Sequence, residues 1–368
     1  MQKLLMDFEK KFYDKTPAFI FDLDILEKHL KNIRKNLENY KLCFAMKANP
    51  ILTEFIEPFV DKIEVCSEGE FQICKEKKIP AEKIFYTGVN KSIQGIQDAW
   101  DYGVRNFNAE SINQILNISS IGNSVRIYTR ICCQQFGIDE SIIDEFLYKY
   151  RNCISGIHYF GGTCRDKYIL NDIDKIKKFI LNHNNIKEIE YGVGLSAKYF
   201  KDEKIESDND RLKRLNKLLK QNFSVPITIE LGRFICAKCG YYVSKVCDIK
   251  QNLGVNYAVL DGGFNHLDYF GQILGMKEPI LFKSNNNGEA KNWCLCGSMC
   301  SMSDIIVRQT ELKNLSLGDN IYFANAGAYS STESKSLFLS RDLPRIYLHK
   351  DGIFSLLRDK THTYNFNI

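Results

Sequence analysis

The chain has 368 residues, of which 44% are hydrophobic and 26% charged, and a formal net charge of +5 at pH 7. This length suits two domains or one large barrel with an appendage, and the composition excludes extended disorder. The positive charge is too dilute to predict a nucleic-acid partner. No apolar run reaches the roughly 18 residues of a membrane-spanning helix. Thirteen cysteines, an odd count at low density, predict reduced thiols and a cytoplasmic location.

Short apolar segments alternate with amphipathic stretches over the first two thirds of the chain. One stretch follows Asp24, the predicted N-cap, with apolar residues at helical spacing: Leu26, Leu30, Ile33 and Leu37. Eight apolar segments are predicted as strands: residues 42–46, 63–66, 84–86, 104–107, 125–131, 154–157, 189–191 and 227–230. Successive β-then-α units predict an α/β fold, a closed (β/α)8 TIM-like barrel, with a doubly wound sheet as the alternative. A barrel places its chemistry at the C-terminal ends of the strands.

The pattern changes beyond residue 254, where helical spacing disappears. Strands without intervening helices are predicted at residues 257–260, 293–296, 320–324, 345–349 and 353–358, with a hairpin turn at 350–352 and an exposed loop at 285–288. We therefore predict three parts. Residues 1–24 contribute a strand at 18–21 to the β domain, residues 25–254 form the barrel, and residues 255–368 form an all-β domain that resembles a sandwich or small barrel.

Lys47 stands at the end of the first predicted barrel strand, in the segment FAMKAN. Partial desolvation in a barrel mouth lowers the pKa of an amine and makes it a usable nucleophile for an aldehyde. A single lysine at a strand end is, however, more often a surface residue. Three later strand ends carry glycines that can bind an anion, in the segments HYFGGT (158–163), YGVG (191–194) and ELGR (230–233). Together these segments predict a phosphate cup that faces an amine.

The cysteines raise the alternative of a zinc site. Cys236 and Cys239 have ligand-like spacing, as do Cys294 and Cys296 less well. No histidine follows at zinc-finger spacing, and the stretch 236–239 continues an apolar segment. Core packing is the better interpretation because free cysteine is among the most buried residue types. We therefore predict no metal.

These motifs, in this order, resemble the fold-type III, pyridoxal-phosphate-dependent amino acid decarboxylases, which include the diaminopimelate, ornithine and arginine decarboxylases. The resemblance runs from Thr16 to about Arg358. The segments that carry it are FAMKAN (44–49), EVCSEGE (64–70), QFG (135–137), ELGR (230–233), DGG (261–263), Cys300 with Asp304, and AGAY (326–329).

The resemblance implies pyridoxal 5'-phosphate as the cofactor and a homodimer whose active sites are shared across the interface. Lys47 would bind the cofactor aldehyde, Glu230 would keep the pyridine nitrogen protonated, and Cys300 of the partner would reprotonate Cα. The implied cofactor-binding residues are Lys47, Arg130, His158, Phe160, Thr163, Gly192, Gly194, Glu230, Gly232, Arg233 and Tyr329, and the implied substrate-binding residues are Ser301, Asp304 and Tyr329. Racemases of this fold carry arginine opposite the pyridine nitrogen, so Glu230 favours decarboxylation.

Three positions depart from the pattern of the family. Phe160 stands where a histidine stacks on the cofactor ring, and a phenyl ring can stack but cannot titrate. Val193 interrupts the glycine triplet of the seventh barrel strand. Ser301 replaces the acidic residue that holds a substrate's distal ammonium, and residues 264–270 lack an arginine for a distal carboxylate. An uncompensated buried charge is strongly destabilising, which disfavours free diaminopimelate, lysine and ornithine.

A less common branch of the family decarboxylates an amino acid tethered to an acyl-carrier protein. It resembles this chain at Phe160, at Ser301 and over residues 134–141. We therefore predict a pyridoxal-phosphate-dependent carboxy-lyase of a specialised pathway, acting on a small amino acid or an aminoacyl carrier protein. The alternatives are diaminopimelate decarboxylase, an amino acid racemase, a catalytically inactive regulatory homologue, and an unrelated metal-dependent barrel.

Overall fold

The computed structural model describes residues 2–122, 124–183, 186–284 and 287–368, so residues 285 and 286 of the predicted loop lie outside it. The chain divides into two compact units. The barrel unit comprises Glu27–Ser196 and Glu206–Ile235, and the sheet unit comprises Met1–Leu26, Ala197–Ile205 and Cys236–Ile368. Within the described residues, no helix has the length and apolar character needed to cross a bilayer.

Strands and helices alternate through the first two thirds of the chain. In order they are α1 (Gln2–Phe12), β1 (Ala18–Asp22), α2 (Leu23–Asn36), β2 (Lys41–Ala45), α3 (Thr53–Ile56), β3 (Lys62–Val65), α4 (Glu68–Glu76), β4 (Ile84–Tyr86), α5 (Ile93–Tyr102), β5 (Asn106–Ala109), α6 (Ile112–Ser120), β6 (Arg126–Arg130), α7 (Glu140–Lys149), β7 (Ile154–Phe160), α8 (Ile169–Asn182), β8 (Glu188–Gly192), α9 (Asp208–Asn222), β9 (Ile227–Leu231) and α10 (Arg233–Cys236).

The barrel unit confirms the predicted (β/α)8 architecture. Strands β2 to β9 pair in parallel and in chain order, and β9 returns to pair with β2, with Cys43 opposite Glu230. This closure excludes the doubly wound alternative. Each of the eight predicted barrel strands overlaps an observed one. The barrel strands could be predicted from the sequence because strands covered on both faces are apolar at most positions. In β9, for example, all five residues are buried.

One detail of the first barrel helix was predicted wrongly. The sequence places the N-cap of α2 at Asp24, but the helix begins at Leu23 and the carboxylate of Asp22 accepts the backbone N–H of Ile25 at 2.9 Å. Asp22 ends β1 in an extended conformation, from which its side chain reaches the free N–H groups of the first turn. Asp24 lies inside that turn.

The sheet unit contains the remaining strands: β10 (Gly240–Asn252), β11 (Val255–Leu260), β12 (Leu281–Lys283), β13 (Ala290–Cys296), β14 (Ile305–Lys313), β15 (Asn320–Ala324), β16 (Arg345–Lys350) and β17 (Ile353–Arg358). The order of the main path is β14-β13-β11-β10-β1-β16-β17, while β15 pairs with β10 and β12. As predicted, β1 joins this sheet, antiparallel to β10 and parallel to β16. All five predicted strands after residue 254 are present.

The structure differs from the predicted division at the second boundary. The sequence ends the barrel at residue 254, whereas the barrel unit ends at Ile235. The reason is β10, which sequence analysis missed and which hydrogen-bonds to β1, β11 and β15 of the sheet. Helix α1 was also missed. It packs Leu4, Leu5 and Phe8 into the core of the sheet unit.

Candidate active site

Lys47 lies in the barrel mouth between two buried carboxylates. It follows β2 in a short 3-10 turn, and its Nζ is 2.6 Å from Oε2 of Glu64 and 3.9 Å from Oε1 of Glu230. Glu64 is on β3 and Glu230 on β9, the two strands that flank β2, so the closure of the barrel brings these groups together. Both carboxylates are buried, while the Lys47 side chain is 35% exposed. The amine is therefore the accessible member of the cluster.

Glu230 is held in its charged form. Burial on its own would raise the pKa of Glu230, but the positive charge of Lys47 and the neighbouring His158 and Arg130 lower it to about 2. His158 Nε2 is 3.3 Å from Glu230 Oε2, and its Nδ1 is 2.7 Å from the amide nitrogen of Asn108. The imidazole is thus fixed by β5 and placed against the carboxylate on β9. The charged carboxylate of Glu230 can accept a hydrogen bond from the N–H of a protonated heterocyclic ring.

Three residues around Lys47 received no role in the sequence analysis. Glu64 accepts hydrogen bonds from Lys47 and, through Oε1, from the Thr87 hydroxyl at 2.8 Å. Lys47 also donates to Cys66 Sγ at 3.6 Å, and that sulfur lies 3.2 Å from the Thr87 hydroxyl. Burial raises the pKa of Cys66, which keeps the thiol neutral. The segment EVCSEGE contains two of the three, but without the barrel nothing in it shows which side chain faces the lysine.

Arg130 ends β6 and pairs with Glu110. Its Nη1 lies 2.6 Å from Glu110 Oε1, and the other carboxylate oxygen accepts the backbone N–H of Gly137 at 3.1 Å. The guanidinium also lies over the ring of Phe136, 4.6 Å from the centroid. The segment QFG therefore closes over Arg130. Nearby, burial lowers the pKa of Lys91 to about 8, although the charge of Glu110 opposes this.

The predicted phosphate cup consists of Thr163, Gly192, Gly194, Gly232 and Arg233, which follow or end β7, β8 and β9. Arg233 Nε donates to the Thr163 hydroxyl at 3.1 Å. Gly194 has φ +65°, and a Cβ there would fall 2.2 Å from the carbonyl oxygen of Gly162. A Cβ at Gly192 would contact the Phe160 ring, and one at Gly232 would fall 3.1 Å from the Cβ atoms of Ala45 and Ala48. Glycine therefore lets the ends of β7, β8 and β9 approach closely, which is compatible with a phosphate held by backbone N–H groups.

The remaining predicted site residues lie in the sheet unit. Cys300 is exposed. Asp304, predicted to contact substrate, is 2% exposed, and its two carboxylate oxygens accept the backbone N–H groups of Phe264 and Met299, each at 2.8 Å. Burial raises the pKa of Asp304. Ser301 is half-buried and bonds to the Ser303 hydroxyl at 2.7 Å. Asp304 thus fixes the loop that carries Cys300 and Ser301.

Tyr329 and the zinc candidates complete the predicted set. Tyr329 follows β15 in a left-handed conformation with φ +66°, and its carbonyl accepts the N–H groups of Thr332 and Glu333. Cys236 and Cys239 are fully buried, and burial raises the pKa of both thiols, which opposes the thiolate form that binds zinc. Among the described residues, the side chains spaced for a metal ion are instead Asp22, Asp24 and His349.

The fold and site together show a closed barrel with an accessible lysine amine beside two buried carboxylates, and with glycines at the ends of β8 and β9. Comparison with known proteins agrees. A family model described as pyridoxal-dependent decarboxylase, C-terminal sheet domain, matches residues 18–327. This match covers most of the chain. The protein therefore belongs to the pyridoxal-dependent decarboxylases and is a pyridoxal-phosphate-dependent amino acid carboxy-lyase.

Several relatives and solved structures are similar over almost the whole chain. A 2-[(L-alanin-3-ylcarbamoyl)methyl]-2-hydroxybutanedioate decarboxylase of Staphylococcus aureus is 29% identical, covering 90% of this chain and 93% of that protein. The L-glutamyl-[BtrI acyl-carrier protein] decarboxylase of Niallia circulans is 23% identical, with coverages of 94% and 91%. The crystal structure of diaminopimelate decarboxylase from M. jannaschii with L-lysine superposes with a TM-score of 0.85 at 22% identity, covering 97% of this chain and 92% of that one.

Proposed function

We propose that this enzyme decarboxylates an α-amino acid whose side chain ends in an amide- or thioester-linked group rather than in a free ammonium. The state of Asp304 carries the proposal. It is the only carboxylate in the segment 300–304, and backbone N–H groups occupy both of its oxygens. Residues 300–303 are uncharged, so this segment offers no counterion to a distal ammonium. A buried ammonium without a counterion is costly.

Two relatives support the same substrate class. The name of the Staphylococcus aureus enzyme describes an alanine unit joined through a carbamoyl group to a hydroxybutanedioate. The Niallia circulans enzyme acts on a glutamyl group carried by an acyl-carrier protein. In both names the amino acid is joined to a larger group. We therefore infer a substrate in which the amino acid is the small reacting end of a larger molecule.

The site residues divide the work between binding and proton transfer. Lys47 would bind the aldehyde of pyridoxal phosphate, Glu230 its ring nitrogen, and the phosphate cup its phosphate. When bound, the cofactor accepts the electron pair that carbon dioxide leaves behind. Glu64 is placed to take a proton from Lys47 Nζ and to return it, because the two groups are already hydrogen-bonded at 2.6 Å. Cys300 would return a proton to Cα.

The proposal includes a homodimer in the cytoplasm. Several large apolar side chains of the sheet unit are exposed in the single chain: Phe270, Ile273, Leu274, Met276 and Met302. Apolar residues this numerous are typical of an interface. A partner chain that covers them would also bring the exposed Cys300 of one subunit to the barrel of the other. None of the thirteen cysteines, all of which lie in the described residues, forms a disulfide, which suits a reducing compartment.

The test is release of carbon dioxide from a panel of substrates. The panel contains amino acids with acylated side-chain amines, aminoacyl groups loaded on carrier proteins, and free diaminopimelate, lysine and ornithine. We expect kcat/KM for at least one linked substrate to exceed that for each free diamino acid by about a hundred-fold or more. Turnover of diaminopimelate above all linked substrates would contradict the proposal and favour a diaminopimelate decarboxylase, the activity of further relatives at 24 to 26% identity.

A further inference from the structure

We propose that the ion pair of Asp166 and the buried Arg211 positions the phosphate cup and thereby sets the preference for a phosphorylated cofactor. The inference rests on the proposed function, because that function assigns a phosphate to the cup. Neither residue belongs to the segments that resemble the family. Both lie in the barrel unit, and the Arg211 side chain is only 3% exposed.

Asp166 joins the loops that follow β7 and β8. Its Oδ2 accepts the backbone N–H of Ser196 at 2.9 Å as well as the Ser196 hydroxyl. Its Oδ1 accepts Arg211 Nη1 at 2.8 Å, and the same Nη1 donates to the Ser196 carbonyl at 2.9 Å. Burial on its own would raise the pKa of Asp166, but the bonds from Ser196 and Arg211 lower it. The carboxylate is therefore charged at neutral pH and holds both loops.

Arg211 extends the connection to the third element of the cup. Its guanidinium lies over the ring of Phe234, 4.9 Å from the centroid, and its Nη2 donates to Asp208 at 2.8 Å. His29 fixes Phe234 from another side, since Nε2 lies 2.8 Å from the Phe234 carbonyl and Nδ1 lies 3.7 Å from Asp208. One buried arginine thus contacts the loop after β7, the loop after β8 and helix α10.

These contacts lie next to the cup in the chain. Each is within three residues of a cup residue, in the pairs Thr163 and Asp166, Gly194 and Ser196, and Arg233 and Phe234. A phosphate site made of glycine N–H groups binds well only if the loops are already in place, because their ordering otherwise opposes binding. The loops after β7 and β8 are also joined directly, because the Arg165 N–H donates to the Gly194 carbonyl at 2.8 Å. A shift of one loop would therefore move the other. Asp166 and Arg211 act through the loops and are positioning residues.

The test compares two cofactors that differ only in the phosphate. Apoenzyme of the wild type and of Asp166→Asn is titrated with pyridoxal 5'-phosphate and with pyridoxal, and binding is followed by absorbance. We expect Asp166→Asn to raise the Kd for pyridoxal phosphate about tenfold or more while the Kd for pyridoxal changes less than about twofold. The phosphorus resonance of the bound phosphate should also broaden or shift. Arg211→Lys keeps the charge and one bond to Asp166, so it should lose less affinity.

The matched control is Lys283→Met, which breaks a comparable ion pair in the sheet unit. Lys283 is 3% exposed and lies 2.9 Å from Asp319. Lys283→Met should lower the free energy of unfolding without changing the ratio of the Kd for pyridoxal to the Kd for pyridoxal phosphate. An unchanged ratio in Asp166→Asn, or an equal loss for both cofactors, would overturn the inference. If Asp166→Asn does not fold, Ser196→Ala removes only the hydroxyl, which contacts Asp166 and Arg211, and must shift the ratio in the same direction.

The same titration separates this inference from the proposed function. Wild-type enzyme that binds pyridoxal phosphate far better than pyridoxal, with the ratio reduced in Asp166→Asn, supports the inference even if every linked substrate fails to release carbon dioxide. Wild-type enzyme that binds both cofactors equally would overturn the inference, because the cup would then hold no phosphate.

Discussion

Lys47 illustrates what a single position in a barrel can and cannot reveal. The sequence places it at a strand end, and the structure adds that Glu64 and Glu230 lie on the two neighbouring strands. Glu230 was predicted because the segment ELGR resembles a known motif. Glu64 received no role, because a strand sequence shows which residues alternate but not which cross-strand neighbours meet. The hydrogen bond between Lys47 and Glu64 therefore could not be predicted from the sequence.

The first prediction concerns the pH dependence of stability. The pKa of Glu230 is about 2 in the fold and ordinarily 4.5, so the unfolded chain binds this proton more tightly. Charged Glu230 stabilises the fold above about pH 4.5, and this contribution is lost as the pH falls towards 2. In Glu230→Gln, the loss of unfolding free energy between about pH 5.5 and 3.5 should be smaller than in wild type by about 1 kcal/mol.

Denaturant unfolding at several pH values measures this difference. Glu76→Gln, at an exposed position on α4, serves as the control and should follow the wild type. A constant difference between wild type and Glu230→Gln over the whole range would show that Glu230 titrates alike in the folded and unfolded states.

The second prediction concerns Ser301. If this position faces the distal end of the substrate, Ser301→Asp supplies the missing counterion for an ammonium. We expect kcat/KM for a free diamino acid such as lysine or ornithine to rise about tenfold or more, while turnover of the linked substrate falls. Ser303→Asp, two residues further on, is the matched control. Equal effects of the two substitutions would indicate a general charge effect and remove Ser301 from the substrate site.

At the scale of elements, every barrel strand was predicted, whereas β10, β12 and β14 of the sheet unit were missed. The barrel strands are short apolar runs, and all eight were found. Strand β10 is largely buried over Gly240–Val246 but largely exposed beyond it. The polar sequence of its second half is typical of a linker rather than of a strand. In strand β14, the buried and exposed residues do not alternate regularly. These strands are defined by long-range pairing, which local patterns do not contain.

The third prediction separates the two aspartates at the start of α2. Asp22 accepts the N–H of Ile25 and lies 3.3 Å from His349 Nδ1, whereas the half-buried Asp24 accepts the N–H of the exposed Asp351. Asp22→Ala should therefore lower the free energy of unfolding by about 1 to 2 kcal/mol, and Asp24→Ala by less than about 0.5 kcal/mol. Denaturant unfolding measures both. The reverse order would restore Asp24 as the cap.

At the scale of the whole molecule, the candidate site residues are divided between two units. Lys47, Glu230 and the phosphate cup are in the barrel unit, and Cys300, Ser301 and Tyr329 are in the sheet unit. The resemblance to the family predicts that a partner subunit joins them. Sequence periodicity contains no information on assembly, so the shared site is a prediction from the resemblance.

The fourth prediction is complementation between two inactive variants. Lys47→Ala and Cys300→Ala each damage every active site of their own homodimer. After mixing and subunit exchange, half of the dimers are mixed, and each mixed dimer has one site with both residues intact. Shared sites therefore predict recovery of about a quarter of wild-type activity. Dimers that exchange subunits, as shown by mass spectrometry, without recovering activity would place both residues in the same subunit's site.

The central claim is that Lys47 is the amine that binds the cofactor aldehyde. Borohydride reduction of the enzyme with bound pyridoxal phosphate, followed by digestion and peptide mapping, tests it directly. We expect a phosphopyridoxyl group on Lys47 in near-stoichiometric amount, and none in Lys47→Ala. A label on another lysine, such as the buried Lys91, or no label at all in an enzyme that binds the cofactor, would contradict the account.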